Sequence, residues 1–384
     1  MKKLFPWLFA FFLIILYFSL QINTTTNIEK NEIEETLNSM TLEEKIGQMI
    51  IIYETHNTVN EEVTALFNHL KPGGIILNKE NITTFEQTKK YIEDIKNLSN
   101  IPLIISVDQE GGSVQRLQLL KDIVPTYIPS MQKIGTQKDP ALAYEIGKIL
   151  GQQAKTLGIN VLYAPVCDIA TSNSSMTDRS FGSDPEIVGN LCTNIGKGIE
   201  ETGLIATYKH FPGHGDTYVD SHYSLPVLDK TYEELENFEF IPFKEAIAND
   251  AKMIMIGHLA DPKITNDTTP ASLSKVFITD ILKDKLNYKG LIITDALNMR
   301  ALTDNYTNEE IISLAINAGV DLLLMPNHPQ EAITYIKENI PVERIDESVR
   351  KILEFKKKYL KNEETLDVSY LNLPAYQEIL NKIN

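Results

Sequence analysis

The segment 209–216, with the sequence KHFPGHGD, combines basic, acidic and imidazole side chains in a short stretch rich in glycine and proline, and Asp220 and His222 follow closely. The stretch comes directly after the apolar run 204–208, which is typical of a short buried strand, so the polar groups lie where a strand passes into a loop. An aspartate and a histidine two positions apart suit proton transfer. Imidazole titrates near neutral pH, and the carboxylate fixes its tautomer.

A further carboxylate, Asp295, follows the apolar run 291–294, and a buried strand would hold it rigidly. Cleavage of a glycoside requires a carboxylate that attacks or stabilises the anomeric carbon and a proton donor for the leaving oxygen. Asp295 fits the first role, and His222, oriented by Asp220, fits the second. An aspartate at a strand end also often caps the next helix, and the sequence leaves that alternative open.

These residues need a scaffold, and from residue 31 onward short apolar runs alternate with longer amphipathic stretches. The apolar runs predict strands at 49–53, 74–77, 103–107, 161–165, 204–208, 253–256, 291–294 and 322–325. Helical patterns lie at 84–98, 141–157, 186–202, 238–248, 273–286, 308–318, 329–339 and 345–360. Repeated strand-helix alternation predicts parallel strands, and the economical arrangement is a single α/β domain, a (β/α)8 TIM-type barrel.

A doubly wound open sheet is the alternative, but no G-x-G-x-x-G turn follows the first predicted strand. In a barrel, the active site forms at the carboxyl ends of the strands. Charged or imidazole side chains follow five successive runs there: Asp108 and Glu110, Asp168, Lys209 and His210, His258, and Asp295. Hydrophobic packing does not require this recurrence, so it favours one shared site.

The N-terminus predicts export. Two lysines precede the apolar stretch 4–20, which is close to the lower limit of about 17 residues for a membrane span. Neither a small-residue cleavage site nor a cysteine for lipid attachment follows, which favours an uncleaved membrane anchor over a cleaved signal peptide. The lysines would stay in the cytoplasm, which places the rest of the chain on the outer face of the membrane or, after cleavage, in the medium. Residues 1–20 are thus a signal or anchor, 21–30 a tether, 31–360 the catalytic domain and 361–384 a C-terminal tail.

Composition narrows the class of partner. The formal net charge of −16 argues against nucleic acid, whose phosphates require basic surfaces. The two cysteines, Cys167 and Cys192, are too few for a disulfide framework, and Cys167 lies in an apolar run where a buried thiol is expected. Neither is assigned a redox role, and we expect a monomer without cofactor or metal.

Five motifs together resemble glycoside hydrolase family 3, specifically its bacterial β-N-acetylhexosaminidases. They are KHFPGHG at 209–215, DSH at 220–222, DQEGGSVQR at 108–116, DRSFG at 178–182 and ITDALNM at 293–299. The resemblance extends from about residue 41 to about residue 360. It implies a retaining double displacement with Asp295 as nucleophile and His222, paired with Asp220, as acid/base. By the same resemblance, sugar hydroxyls are bound by Asp108, Arg179, Lys209 and His210, with Arg116 in support.

The resemblance also implies a substrate, namely terminal N-acetyl-β-glucosaminides removed by an exo-acting hydrolase. Because the hydrophobic N-terminus is absent from the cytoplasmic single-domain members, the implied substrate is peptidoglycan fragments outside the membrane. Compared with the larger relatives that the resemblance implies, the sequence is expected to lack their additional C-terminal domain. Of the other polar residues near the site, Asp168, Glu110, His214 and Asp216 are interpreted as structural. His258 fits either the site or a structural role, and the sequence leaves both open.

Three alternatives remain. The first is a metal-dependent hydrolase, for which the ligand pool would be His210, His214, Asp216, Asp220 and His222. It leaves Asp295 and the 108–116 motif unexplained. The second is a membrane-tethered binder of cell-wall glycan without turnover. The third is a glycoside phosphorylase, because a neutral histidine repels an anionic acceptor less than a carboxylate base does.

Overall fold

The computed structural model describes residues 30–170, 174, 176–215, 225–360 and 364–383. The chain divides into two compact units, Met1–Thr41 and Leu42–Asn384. The described part of the first unit contains helix α1 at residues 30–39. The second unit contains the predicted barrel and all described residues of the candidate site.

Ten short strands occur in the described part of the second unit. They are β1 (Ile50–Tyr53), β2 (Gly74–Leu77), β3 (Ile104–Val107), β4 (Gln109–Gly111), β5 (Val114–Gln115), β6 (Val161–Leu162), β7 (Ile205–Phe211), β8 (Met253–Ile256), β9 (Leu291–Thr294) and β10 (Leu323–Leu324). Eight of them pair in the order β10-β1-β2-β3-β6-β7-β8-β9, and every pairing in this sheet is parallel. A parallel bridge between Ile293 and Leu322 joins the two end strands. The predicted α/β barrel is therefore confirmed over the open-sheet alternative.

Helices connect the strands. They are α2 (Leu42–Gln48), α3 (Glu61–Leu70), α4 (Phe85–Lys96), α5 (Met131–Gly135), α6 (Pro140–Leu157), α7 (Pro185–Glu201), α8 (Tyr232–Glu236), α9 (Phe240–Ala248), α10 (Pro262–Thr265), a π-helix (Val276–Lys285), α11 (Arg300–Thr303), α12 (Asn308–Ala318), α13 (Pro329–Asn339), α14 (Val342–Tyr359) and α15 (Pro374–Leu380). Local signals set several of these boundaries. The side chains of Asp139 and Asp184 cap α6 and α7, and a proline occupies the first turn of each helix.

The strands are short and buried on both faces, which is typical of a parallel sheet covered by helices. All eight predicted barrel strands are present, but β7 is longer than its apolar run because it continues through Lys209 and His210 to Phe211. Its pairing with β8 shifts register between Tyr208 and Phe211. The prediction that the polar cluster begins only after this strand is wrong, because a polar side chain inside a barrel does not interrupt the backbone ladder.

The predicted C-terminal tail contains regular structure. Its described part, 364–383, includes a 3-10 turn (Val368–Leu371) and helix α15. The hydroxyl of Tyr376 donates to Gln152 Oε1 of α6 at 2.8 Å, and Leu371 O accepts the backbone N–H of Thr126 at 2.7 Å. The tail thus packs on α6 and on the segment that leads from the β4–β5 hairpin to α5.

The predicted signal or anchor at 1–20 lies outside the described residues, as does the tether except for residue 30. Where the structure does describe the chain, no helix is long and apolar enough to cross a membrane. The anchor therefore stays a prediction.

Candidate active site

Asp295 lies directly after β9, and the barrel backbone holds it in place. Its backbone N–H donates to Ile256 O of β8 at 2.9 Å, and its Oδ1 accepts the N–H of Ala296 at 2.8 Å. The alternative that Asp295 caps a helix is wrong, because the next helix, α11, begins at Arg300 with Met299 in the cap position. The second carboxylate oxygen, Oδ2, has no hydrogen bond within the described residues.

Neighbouring groups keep the carboxyl of Asp295 ionised by lowering its pKa. Burial, the largest influence, raises the pKa of this carboxyl, but His210 and His258 lower it, followed by the Ala296 N–H and Lys209, and the pKa falls to about 2. Asp295 is therefore a carboxylate at any pH at which the protein would work, with one oxygen free to react.

His258, at the end of β8, fixes the backbone next to Asp295. Its Nε2 lies 2.9 Å from Ala296 O, and its Nδ1 lies 2.8 Å from Ser272 Oγ. A carbonyl oxygen only accepts, so Nε2 carries the proton in this contact. The residue is fully buried, and both contacts of its ring are to protein groups, which favours the structural one of its two interpretations; its proximity also lowers the pKa of Asp295.

Four charged side chains contact one another in a row of alternating sign, which we call the charge ladder: Asp108, Lys209, Glu110 and Arg179. Lys209 Nζ lies 2.8 Å from Asp108 Oδ1 and 2.6 Å from Glu110 Oε1. Glu110 in turn accepts from Arg179 Nε and Nη2, both at 2.8 Å. Each ion therefore has neighbours of opposite sign only.

Exposure divides the charge ladder into two inner and two outer members. The side chains of Lys209 and Glu110 are 3% and 1% exposed, whereas those of Asp108 and Arg179 are 25% and 23% exposed. Burial raises the pKa of Glu110, but Arg179 and Lys209 together lower it by a larger amount. The pKa is therefore well below its usual range. The buried Lys209 and Glu110 therefore fix the positions of Asp108 and Arg179. Asp108 Oδ2 has no partner in the described part of the chain.

His210 is oriented by Asp168, which is fully buried. Asp168 Oδ2 lies 2.7 Å from His210 Nδ1, and Oδ1 accepts the backbone N–H groups of His210 and His214 at 3.1 and 2.7 Å. A carboxylate that accepts at Nδ1 leaves His210 Nε2 for another partner, and no described residue hydrogen-bonds it. Burial raises the pKa of Asp168, but the effects of His210 and then His214 are together larger and opposite. The pKa of Asp168 therefore lies below its ordinary value.

Arg116 begins the 3-10 turn Arg116–Leu119 after the β4–β5 hairpin, and its backbone N–H donates to Asp108 O at 3.3 Å. Its guanidinium is half-buried and makes no ion pair with a described side chain. The structure therefore places Arg116 beside the backbone of Asp108, with its five donors available.

Gly213 and Gly215 end the described part of the loop after β7. Gly213 has φ of +133°, and a Cβ on Gly215 would lie 1.9 Å from Ile169 O, so both positions require glycine. The predicted acid/base pair, Asp220 and His222, follows in 216–224, which lies outside the described residues, as does Asp216. Their role stays a prediction.

The metal-site alternative finds no support in the described residues, which contain no group of three or more side chains able to hold a metal ion. Two members of the proposed ligand pool, His210 and His214, instead bind Asp168 through a ring nitrogen and a backbone amide. The other three members lie in 216–224.

Two features of the site were missed in the sequence. Glu110 binds Arg179 across 69 residues of sequence, so no local pattern could show it. The contact between His258 and the backbone of Ala296 spans 38 residues. One indication of each residue was present in the sequence. Glu110 lies in a motif that follows a predicted barrel strand, and His258 follows another predicted strand.

The chain is similar to known proteins over most of its length. The profile described as the glycosyl hydrolase family 3 N terminal domain matches residues 41–355. The Beta-hexosaminidase of Nitrosospira multiformis is 33% identical over 301 residues, which cover 76% of this chain and 84% of that protein. The Beta-hexosaminidase of Haemophilus influenzae is 33% identical over 283 residues, covering 73% and 80%.

A solved structure shares the architecture. The glycoside hydrolase family 3 beta-N-acetylglucosaminidase from Paenibacillus sp. superposes with a TM-score of 0.81 at 32% sequence identity. The match covers 90% of this chain and 69% of that chain.

Proposed function

Because this chain belongs to glycosyl hydrolase family 3, as its motifs indicated, we propose that it is a retaining exo-β-N-acetylglucosaminidase that acts on peptidoglycan fragments. It is a glycoside hydrolase. Preference for N-acetylhexosaminides is carried over from the relatives named Beta-hexosaminidase and from the beta-N-acetylglucosaminidase that shares its fold.

The observation that carries the proposal is the state of Asp295. Its pKa of about 2 makes it a carboxylate, and its Oδ2 has no partner among the described residues. In a double displacement this oxygen attacks the anomeric carbon and forms a glycosyl-enzyme, which water then hydrolyses with retention of configuration. A rigid strand end suits the reaction, because a misplacement of 1 Å costs about 100-fold in rate.

The proton donor is proposed to be His222, oriented by Asp220. The described carboxyls at the site support this choice by elimination. Glu110 and Asp168 have lowered pKa values and are held as ions, and Asp108 accepts from Lys209. A general acid must hold a proton near the working pH, so a histidine in 216–224 suits the role better than any of them.

Sugar binding is proposed for the groups that remain unpaired. Asp108 Oδ2 and His210 Nε2 can each accept from a hydroxyl, and the Arg116 guanidinium can donate to one. Arg179, at the outer end of the charge ladder, adds donors beyond those it uses for Glu110. Charge-assisted hydrogen bonds of this kind select hydroxyl positions by direction.

Location and natural substrate rest on the N-terminal sequence. A hydrophobic segment at 4–20 would place the enzyme on the outer face of the membrane or in the medium, where peptidoglycan fragments are the abundant N-acetylglucosaminides. Detection of the full chain in membrane or culture fractions, compared with a chain lacking residues 1–29, tests this location.

The activity is tested by hydrolysis of a chromogenic N-acetyl-β-glucosaminide by the full chain. We expect Asp295→Ala to abolish turnover and His222→Ala to lower kcat/KM by about 10²- to 10⁴-fold. His69→Ala, an exposed histidine on α3, is the matched control and should retain full activity.

The same assay separates the alternatives. Turnover that a chelator abolishes would assign a metal-dependent hydrolase, and sugar binding without turnover would assign a glycan binder. In phosphate buffer we expect the product to be the free sugar, and a sugar 1-phosphate would assign phosphorolysis instead.

A further inference from the structure

The two cysteines of the chain are neighbours in the core although they are 25 residues apart in sequence. Cys167 lies after β6, directly before Asp168, and Cys192 lies in the middle of α7. Both side chains are fully buried as free thiols, and their Sγ atoms are 2.7 Å apart. The sulfurs of a disulfide are about 2.05 Å apart, so the fold brings these thiols to within about 0.7 Å of bonding distance.

Backbone contacts hold both cysteines at this place. The N–H of Cys167 donates to Lys209 O at 2.6 Å, which extends the pairing of β6 with β7. Cys192 is part of a helix of 17 residues, and its thiol lies 3.6 Å from Gly189 O within that helix. The sulfurs therefore meet because a strand end and a helix meet, and the contact does not depend on surface side chains.

We propose that Cys167 and Cys192 form a disulfide when the protein folds in an oxidising compartment. Disulfides persist in such compartments and are rare in the cytosol, so the proposal is consistent with the export predicted from residues 1–20. The chain has only these two cysteines, which leaves no competing intramolecular pairing.

The bond would act on the segment 168–191, which it closes into a loop. This segment contains Asp168, which orients His210, and Arg179, which pairs with Glu110. A cross-link there removes conformations from the unfolded chain and opposes local opening of the segment. Its effect is on stability, because neither sulfur touches a group assigned to the reaction.

The oxidation is a thiol-disulfide exchange with a small-molecule or protein disulfide. One cysteine thiolate attacks that disulfide, forms a mixed disulfide and releases one thiol. The second cysteine thiolate then attacks the protein-side sulfur and releases the second thiol. Two electrons and two protons thus pass from the cysteine pair to the incoming disulfide.

The timing follows from burial. Burial, and then the Cys192 thiol, raise the pKa of Cys167, so little thiolate is present in the folded protein. Because both sulfurs are also buried away from an incoming disulfide, we expect the exchange to occur while the chain folds or when the β6–α7 segment opens, and to be slow in the native state.

The first test refolds the full chain from denaturant with oxidised glutathione and then alkylates it in denaturant without reductant. Mass spectrometry should find no alkylated cysteine and a peptide that links Cys167 to Cys192. The same sample reduced before alkylation should carry two alkyl groups. Cys167→Ala and Cys192→Ala, which cannot form the bond, are the controls. Two alkylated cysteines in the unreduced wild-type protein, or a link only between two chains, would overturn the proposal.

The second test compares the oxidised and reduced wild-type protein. Closing a loop of this size should raise the thermal midpoint by about 4 °C and slow proteolysis within 168–191. The kcat/KM at 25 °C should agree within about twofold between the two forms, since the chemistry does not use the sulfurs. Equal midpoints in the two forms would refute the stabilising role, and this comparison needs no variant that must fold.

Discussion

Replacing Glu110 with glutamine tests the charge ladder directly. The substitution keeps the shape of the side chain but removes the central negative charge, which leaves Arg179 without an anionic partner and Lys209 with Asp108 alone. Removing one partner of a buried ion pair costs about 3–5 kcal/mol. Because the amide oxygen can still accept from one cation, we take the lower end, about 3 kcal/mol.

The expected change in thermal stability follows from the size of the unit Leu42–Asn384. At an unfolding entropy of about 2 cal/mol/K per residue, a loss of about 3 kcal/mol lowers the midpoint by about 4 °C. The matched control is Asp304→Asn, which breaks the exposed Arg300–Asp304 pair, whose side chains are 64% and 47% exposed. That variant should lose less than about 1 kcal/mol. We would measure the thermal midpoint of both variants by heat denaturation and their free energy of unfolding by urea unfolding, each at pH 7.

The pH dependence supplies a second check. The pKa of Glu110 is lower in the folded protein than in the unfolded chain, where it is about 4.3. Its contribution to the free energy of unfolding is therefore complete above that value and is lost as the pH falls toward the folded pKa. Glutamine does not titrate, so the difference between the two proteins should be constant from pH 6 to 8 and shrink only below about pH 4.3.

Sugar binding should weaken as well. Without Glu110, Lys209 and Arg179 are no longer fixed, and the loss of one charge-assisted hydrogen bond lowers kcat/KM by about 10- to 100-fold. A stability loss no larger than that of Asp304→Asn, or a difference that already shrinks at neutral pH, would refute the reasoning.

Three further predictions follow from the same contacts. Since the pKa of Asp295 is about 2, kcat/KM measured from pH 4 to 8 should show no acid limb from this carboxyl, and an inflection near pH 4 in folded enzyme would contradict that. Asp168→Asn should lower kcat/KM by about 10- to 100-fold, because one amide cannot accept from His210 Nδ1 and from two backbone N–H groups equally well; wild-type kinetics would count against it. Burial lowers the pKa of Lys356 to about 7, so the folded state binds fewer protons than the unfolded state and wild-type stability should rise from pH 7 to 10. Urea unfolding of Lys356→Met should show a flatter profile over that range, and an unchanged slope would exclude Lys356 as its source.

The barrel could be predicted from the sequence because its strands are continuous apolar runs of four or five residues separated by helical patterns. The predicted end of a strand was wrong where polar residues continue the strand. Lys209 and His210 belong to β7, yet their polarity ended the predicted strand at Tyr208. Inside a barrel, a charged residue can continue a strand when another strand end supplies its counter-ion, and a one-dimensional pattern does not contain that information.

Helix α3 was missed although its signals are present. Asn60 caps the helix through its side chain, and Val63, Phe67 and Leu70 recur at helical spacing on its buried face. The two acidic residues at its start, Glu61 and Glu62, suit the positive end of a helix dipole.

The sequence motifs are sufficient to propose individual site residues, but they do not show how those residues contact one another. The motifs named Asp108, Lys209 and Arg179 as sugar-binding residues of equal standing. The structure separates them, because Lys209 is buried between two carboxylates while Asp108 and Arg179 are partly exposed at the ends of the charge ladder. This difference depends on contacts across 101 and 69 residues of sequence.

Under the proposed function, the charge ladder would let an acidic protein bind a neutral sugar without a strong electrostatic field at the site. Two anions and two cations alternate, so their formal charges cancel, and each buried charge is neutralised by an adjacent one at 2.6–2.8 Å. At the partly exposed ends of the charge ladder, Asp108 offers a hydrogen-bond acceptor and Arg179 offers donors, each in a fixed direction. Hydroxyl groups carry no net charge and are distinguished by the positions of their donors and acceptors, so a neutral array of fixed polar atoms suits them better than a field of one sign.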